Sequence, residues 1–182
     1  GIAGVANPRQ TNERIREDVI ELQNIPSTQV KAVGASQFGY IEEFRRVQSQ
    51  LSRTYPFNYV YVGCAIGVVD LVKEEINVVI SVAKVLANAR PDLKLVVRPY
   101  PVQGNWELYS ALRTLPNVVM DDGFKTLDLS VKDGHILEKF EKITNAEAFF
   151  HLGTTMGLEA CFTQTPSFMI DYGYTSKDGL SL

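Results

Sequence analysis

The strongest constraint on the fold is an alternation between short apolar segments and longer segments with helical periodicity. The apolar segments are rich in β-branched and aromatic residues and are bounded by Gly, Pro, Asn or Asp, which is typical of buried strands. They cover residues 58–64, 93–98, 117–121, 148–152 and 166–171. Helices are predicted between them, starting near Asp70, Asn105, Asp133 and Met156. This order predicts an α/β fold with a doubly wound, mainly parallel, Rossmann-like sheet and helices on both faces.

The residues before this alternation predict two further helices. The first would be capped by Thr11 or Asn12, would carry Ile15, Val19 and Leu22 on one side, and would end at Pro26. A short strand is predicted at residues 29–33, followed by a helix with Tyr40, Phe44, Val47 and Leu51 on its buried face. We assign residues 1–29 to an N-terminal helix with an inter-lobe segment, and residues 30–182 to the Rossmann-like domain.

Composition excludes several classes of protein. The chain has 182 residues, a formal net charge of -3 and no basic run, so nucleic acid is not the expected partner. No apolar run is long enough for a transmembrane segment. Cys64 and Cys161 lack metal-ligand spacing and lie among apolar residues, which predicts buried, reduced thiols in a cytoplasmic protein. The chain begins at Gly1 without a methionine, and we expect it to be part of a longer protein.

One stretch near the end of the alternation carries the clearest functional signal. A strand at 148–152 leads through Gly153, Thr154 and Thr155 to a helix that starts near Met156 and contains Gly157 and Glu159. Gly153 permits a sharp exit of the backbone, and either threonine hydroxyl can cap the helix. Free amides at a helix start favour an anion such as phosphate, and Glu159, one turn later, could hold a ribose diol. The same residues also fit an ordinary strand-to-helix turn with a solvated glutamate.

The predicted topology brings a second loop to the same place. In a doubly wound sheet, the loops after the first strand (residues 63–69) and after the fourth (residues 153–156) flank the switch point, where ligands bind. The first loop contains Gly63 and Gly67, but it matches neither a dinucleotide fingerprint nor a P-loop. The two glycines could contact phosphate or could simply ease the exit from the strand.

Other polar residues near strand ends also have both a functional and a structural interpretation. Arg98 ends a buried strand, where a cation is costly unless it is paired or faces the crevice. His151 lies in an apolar strand and fits a core histidine better than a functional one. Asp121 and Asp122 are too few to predict a metal site, and no metal or cofactor is expected. No serine or cysteine nucleophile has a recognisable partner at a useful spacing.

Two motifs resemble one family of enzymes. The segment His151-Leu-Gly-Thr-Thr-Met-Gly-Leu-Glu-Ala160 resembles the donor-site segment of GT-B glycosyltransferases that build bacterial surface carbohydrates, including proteins like CDP-glycerol glycerophosphotransferase. Arg98-Pro-Tyr-Pro101 is similar to the Arg-Pro-His-Pro of that family, with Tyr100 in place of the histidine. Tyrosine donates a hydrogen bond but carries no positive charge. The resemblance extends over roughly residues 30–171, with an imperfect match around Phe38 and Gly39.

The resemblance implies that residues 30–182 form the nucleotide-sugar binding lobe of a glycosyltransferase. Its partner would be a nucleoside-diphosphate sugar or a CDP-polyol, from which a sugar or polyol phosphate is transferred in cell-surface polysaccharide synthesis. The substrate-binding residues would be Arg98, Tyr100, Gly153, Thr154, Thr155, Met156, Gly157 and Glu159, with Gly63 and Gly67. The catalytic base would come from a missing N-terminal acceptor lobe, which could also associate peripherally with a membrane.

Two alternatives remain open on the residues alone. The same two-lobed fold serves sugar-nucleotide epimerases of the UDP-N-acetylglucosamine 2-epimerase type, which need carboxylates around the sugar. The substitution of Tyr100 and the missing lobe also fit a catalytically inactive nucleotide-binding module.

Overall fold

A computed structural model describes residues 8–32, 39–65, 69–101, 106–123 and 133–171. The chain divides into two compact units, Gly1–Glu42 and Glu43–Leu182. The assignment of residues 1–29 and 30–182 to separate domains stays a prediction.

The first unit contains α1 (Pro8–Gln23). Thr11 and Asn12 lie inside this helix, so the predicted cap was wrong. Proline suits a first helical position because its fixed φ is helical and its missing N–H would have no partner there. The helix ends at Gln23, and the next residue, Asn24, has a positive φ of 51°.

The strand predicted at residues 29–33 is not formed in the part that the structure describes. Ser27–Gln29 is a 3-10 helix, and no sheet partner is assigned to residues 30–32, while residue 33 lies outside the described ranges. Arg16 donates to the carbonyl oxygens of Val30 (2.9 Å) and Ser27 (3.1 Å). Side-chain hydrogen bonds therefore satisfy backbone groups that a strand would have paired with a neighbouring strand.

The second unit is built on a parallel sheet with the strand order β3-β2-β1-β4-β5. Its strands are β1 (Tyr59–Gly63), β2 (Lys94–Arg98), β3 (Val118–Met120), β4 (Ala148–His151) and β5 (Ser167–Met169). All four pairings are parallel. The predicted α/β doubly wound, Rossmann-like fold is therefore confirmed, and its switch point lies between β1 and β4.

Each face of the sheet carries its own hydrophobic core. On one face, Val60 and Val62 pack with Val72, Ile76 and other residues of α3 (Val69–Ala89), and with the 3-10 helix Leu108–Thr114. On the other face, Tyr59, Tyr61 and Phe149 pack against α4 (Asp133–Thr144) and α5 (Met156–Ala160). Alternate residues of a strand point to opposite faces, so β1 contributes to both cores.

The helices differ from the predictions mainly in their kind and length. The helix predicted from Asn105 is the 3-10 helix Leu108–Thr114, whose Tyr109 and Leu112 are both buried because residues three apart eclipse in this geometry. The buried helix predicted around Tyr40 is α2 (Gly39–Val47), which continues as the 3-10 turn Gln48–Gln50. No helix among the described residues is both long and apolar enough to cross a membrane.

The two cysteines have different environments. Cys64 follows β1 and is buried, as predicted, but Cys161 is exposed. The prediction for Cys161 was wrong because α5 ends at Ala160, which leaves Cys161 at the end of the helix rather than in its apolar face.

Candidate functional site

The carboxyl ends of three strands form a row at the switch point. The register of the sheet pairs Gly63 of β1 with Arg98 of β2 on one side and with His151 of β4 on the other. The N–H of Cys64 donates to the Arg98 carbonyl (3.0 Å), and the N–H of Leu152 donates to the Gly63 carbonyl (3.3 Å). The ladder therefore extends to the strand ends, and the loops that follow start from one shared edge.

Gly63 is in close contact with the turn that follows β4. A Cβ atom at this position would lie 3.1 Å from Phe149 Cζ, 3.2 Å from Thr154 Cγ2 and 3.3 Å from Met156 Sδ. These distances are tighter than ordinary side-chain contacts, so a residue larger than glycine would push the turn away. The loop after β4 thus lies directly against the end of β1, and the predicted convergence of the two loops is observed at Gly63. Gly67 lies outside the described residues.

At Gly153, the turn after β4 has the conformation that the sequence predicted. Gly153 has a φ of 86°, in the left-handed region that glycine adopts without strain. The predicted hydroxyl cap is weaker: Thr155, the residue before α5, makes no side-chain cap, and Thr154 Oγ1 is 3.5 Å from the Met156 nitrogen. Thr154 is half-buried and Thr155 is exposed.

The start of α5 offers less to an anion than predicted. The N–H groups of Gly157 and Leu158 donate to the carbonyls of Thr154 and Thr155, each at 3.0 Å. The helix has only five residues, Met156–Ala160, so few peptide dipoles add along its axis. The Gly157 amide, one of the groups predicted to face an anion, thus donates to a carbonyl oxygen of the adjoining turn instead.

Glu159 is not a solvated residue of a wet crevice. It is 5% exposed, and its carboxylate lies 2.7 Å from the Nζ of Lys139, a half-buried residue of α4. The ion pair ties α5 to α4 across the sheet face that both helices cover. Whether Glu159 also contacts a ribose stays a prediction, and any such contact would have to share the carboxylate with Lys139.

Arg98 has the partner that its position required. Its Nη1 donates to Asp121 Oδ2 (3.0 Å), and the same carboxylate accepts from Lys142 Nζ (2.6 Å) and from the Tyr61 hydroxyl. Asp121 directly follows β3, where its N–H donates to the Val97 carbonyl (2.8 Å). Burial by itself raises the pKa of Asp121, but the Arg98 and Lys142 cations outweigh it and hold the pKa below its usual value.

His151 closes the row on the β4 side. Its ring stacks on Phe149 with the centroids 5.8 Å apart, and a Cβ on Gly157 would lie 2.5 Å from its Cε1. Burial lowers the pKa of His151, so the imidazole is neutral at pH 7. Its Nδ1 is buried and has no hydrogen-bond partner among the described residues. His151 is therefore packed against aromatic and backbone neighbours, but it is only half-buried and is not the satisfied core histidine that the sequence favoured.

The remaining predicted residue, Tyr100, is half-buried just after β2. Among residues 8–32, 39–65, 69–101, 106–123 and 133–171, no cluster of His, Cys, Asp and Glu could hold a metal ion.

Sequence reasoning missed two buried polar groups beside this edge. Glu75 of α3 is completely buried and Lys142 of α4 almost so. A signal for Glu75 was available, because it lies between Val72 and Val79 on the buried side of α3, where an unpaired carboxylate would be costly.

No protein-family model, curated protein or solved structure matches this chain.

Proposed function

We propose that the Rossmann-like unit is the donor-binding lobe of a glycosyltransferase. It would bind a nucleoside-diphosphate sugar or a CDP-polyol and transfer the sugar or polyol phosphate in cell-surface polysaccharide synthesis. The observation that carries the proposal is the contact of the turn at Thr154 and Met156 with Gly63 at the switch point of the sheet. Ligands of open α/β sheets bind where the strand order reverses, and here the residues of the family-like motif line that position.

The charges at this edge support an anionic ligand, provided that the ligand competes with Asp121 for Arg98. Arg98 lies at the end of β2, next to Gly63 in the register. Its guanidinium is paired with Asp121, which also accepts from Lys142. Two cations thus share one buried carboxylate, and Lys142 has a second, more exposed partner in Glu138. A diphosphate would gain from Arg98 only by competing with Asp121, so we expect the nucleotide to be held by several weak contacts rather than by a dedicated phosphate loop.

A general base for the hydroxyl of the acceptor molecule would come from a second, acceptor-binding lobe. Arg98 and the backbone of the turn after β4 would stabilise the negative charge that develops on the leaving nucleoside diphosphate. The neutral imidazole of His151 would line the crevice without adding charge. The activity of the whole protein therefore requires both lobes.

Ligand-induced protection tests the nucleotide site. UDP, CDP and other nucleoside diphosphates at millimolar concentration should raise the melting temperature, because a ligand that binds only the folded chain stabilises it by about 2.7 kcal/mol at 100 times its Kd. Inorganic phosphate at equal ionic strength is the control for a general anion effect. The absence of a shift with every nucleoside diphosphate would refute the site.

A matched pair of variants tests the role of Glu159. Glu159→Gln and Lys139→Met break the same ion pair and should lower stability to a similar extent. If the carboxylate also holds the ribose, Glu159→Gln should weaken nucleotide binding roughly ten-fold, since a charge-assisted hydrogen bond contributes about 1.5–3 kcal/mol. Lys139→Met should leave affinity nearly unchanged. Equal affinities in the two variants would exclude Glu159 from the nucleotide site.

A nucleotide-binding module without transferase chemistry is the second candidate. It is favoured by the ion pairs of Arg98 with Asp121 and of Glu159 with Lys139, because both side chains predicted to bind the nucleotide are already paired within the protein. Product analysis on the protein with both lobes separates the candidates. Transfer to an acceptor supports the glycosyltransferase, an isomerised donor without acceptor supports an epimerase, and binding without turnover supports the module.

A further inference from the structure

A buried carboxylate lies beneath the exit of β1. Glu75 belongs to α3 and has 0% exposure. One of its oxygens accepts the backbone N–H of Ala65 (2.6 Å), and the other accepts the hydroxyl of Tyr109. Ala65 follows Gly63 and Cys64 directly, so the carboxylate binds the main chain just after it leaves the sheet at the switch point.

Tyr109 connects the same carboxylate to the 3-10 helix Leu108–Thr114. It is 1% exposed, and its hydroxyl donates to the second oxygen of Glu75. A continuous chain of hydrogen bonds therefore runs from Ala65 through Glu75 to Tyr109.

Packing alone does not account for a carboxylate at this position. The neighbours of Glu75 on α3 are Val72, Ile76 and Val79, all of which are buried. Removing a carboxylate from water is unfavourable, and well-packed apolar replacements of buried charged groups are often neutral or stabilising. What an apolar side chain cannot do is accept the Ala65 N–H and the Tyr109 O–H in a defined geometry.

We propose that Glu75 is a positioning residue that fixes the exit of β1 beside the crevice. Held in place by the Tyr109 hydroxyl, its carboxylate binds the Ala65 amide and keeps the main chain after Gly63 in the arrangement that a nucleotide meets. The relevance for binding rests on the proposed function, whereas the positioning itself can be measured in the free protein.

The experiment uses two variants that alter the hydrogen bonds of Glu75 and one that does not. Glu75→Gln keeps the shape of the side chain but removes its charge, and Tyr109→Phe removes one hydroxyl. Glu141→Gln is the control, because Glu141 is 4% exposed and also accepts a backbone N–H, that of Thr54 (3.0 Å), but shortly before β1 begins. Residue-resolved amide hydrogen exchange and nucleotide affinity are measured on all three variants, with the global unfolding free energy as the reference.

We expect Glu75→Gln to accelerate exchange at Ala65 about ten-fold, the change that corresponds to 1.4 kcal/mol. Tyr109→Phe should also accelerate exchange at Ala65, because it removes the hydroxyl that holds the Glu75 carboxylate, and both variants should weaken nucleotide binding several-fold. Glu141→Gln should affect Thr54 and leave affinity unchanged at a comparable loss of global stability. If Glu75→Gln does not fold, Tyr109→Phe gives the same comparison.

Two results would overturn the proposal. One is exchange at Ala65 that changes only in step with global stability, as it does for Glu141→Gln. The other is local acceleration in variants that bind nucleotide as tightly as a wild type that binds it. If the wild type binds no nucleotide at all, the proposed function fails. Fixation of the β1 exit is then judged by amide exchange alone.

Discussion

At the scale of single residues, Asp121 is a buried carboxylate that two cations share. Its carboxylate is almost fully buried between Arg98, Lys142 and Tyr61. A carboxylate whose folded pKa lies below its unfolded value of 3.8 stabilises the fold above that pH, and this contribution is lost as the pH falls through the folded pKa. The network should therefore be stable at neutral pH and weaken in acid.

Asp121→Asn tests this pH dependence. At pH 7 the variant should lose on the order of 3 kcal/mol of unfolding free energy, because it leaves two buried cations without their shared charge. The difference from wild type should shrink below about pH 4, where Asp121 of the unfolded chain starts to gain its proton, and should disappear as the pH falls through the lower pKa of the folded state. Urea unfolding between pH 3 and pH 7 measures it. Asp92→Asn, which removes an exposed partner of Arg90, is the control and should have little effect. A difference for Asp121→Asn that is constant with pH would contradict the assignment.

Residue-level predictions held where local chemistry decides and failed where a distant partner decides. The requirement that Arg98 be paired or face the crevice follows from burial of a cation, and the structure confirms it. Its partner Asp121 lies 23 residues away in the sequence, and only the sheet brings the two together. Glu159 was predicted to be solvated for the same reason: its partner Lys139 belongs to another helix, and the spacing of residues within α5 gives no sign of it.

At the scale of secondary-structure elements, β4 and α5 are coupled by a contact that requires glycine. A Cβ on Gly157 would meet the His151 ring at 2.5–2.9 Å, and that ring is stacked on Phe149. Alanine is normally preferred over glycine in a helix by about 1 kcal/mol. Here the clash should outweigh that preference, because the ring has to move within a packed site.

A double-mutant cycle tests this coupling. Gly157→Ala should destabilise the wild type by roughly 1–3 kcal/mol, the usual cost of overpacking. In a His151→Ala background the cost should fall or change sign, since the ring is gone. Gly134→Ala in α4, where a Cβ meets nothing within 4 Å, is the control and should be neutral or slightly stabilising. Equal costs of Gly157→Ala in the two backgrounds would show that backbone conformation, rather than the ring, requires glycine.

The elements themselves were largely predictable because their patterns are local. All five strands of the sheet lie within the predicted segments, since each is a short apolar run bounded by turn residues. The segment at 29–33 also contains apolar residues, but Arg16 binds the carbonyl of Val30 and that of Ser27 just before the segment, and no sheet partner is assigned to its described residues 30–32. The apolar spacing of Tyr109 and Leu112 fits an α-helix and a 3-10 helix equally, so the pattern could not distinguish them.

At the scale of the whole molecule, the strand order determines where a ligand can bind. In the order β3-β2-β1-β4-β5, α3 and the 3-10 helix Leu108–Thr114 cover one face and α4 and α5 cover the other, and the order brings Gly63 and the turn after β4 together. A sequence can predict parallel strands, but the position of each strand in the sheet depends on which pairs of faces bury the most apolar surface. The outer strand β5 shows the limit of that burial, because Phe168 and Met169 are 51% and 67% exposed.

The two cysteines provide a measure of how the whole fold opens. Cys161 is exposed at the end of α5, with its Sγ 3.3 Å from the Gly157 carbonyl. Cys64 is 2% exposed at the end of β1, and burial, together with the charge of Glu75, raises the pKa of its thiol. Only a thiolate reacts with disulfide reagents, so Cys64 is protected both by its lack of access and by its protonation.

We therefore expect one fast and one slow reaction with a disulfide reagent in the native state. Cys161 should react at nearly the rate of a free thiol, whereas Cys64 should react at least about 10³ times more slowly, which corresponds to an opening free energy of about 4 kcal/mol. Cys161→Ser removes the fast phase and assigns it. In that variant, the dependence of the Cys64 rate on urea should match the slope of global unfolding if the end of β1 opens only with the whole core. A much smaller slope would show that the carboxyl edge opens locally, and a native Cys64 that reacts as fast as Cys161 would show that this edge of the sheet is not closed at all.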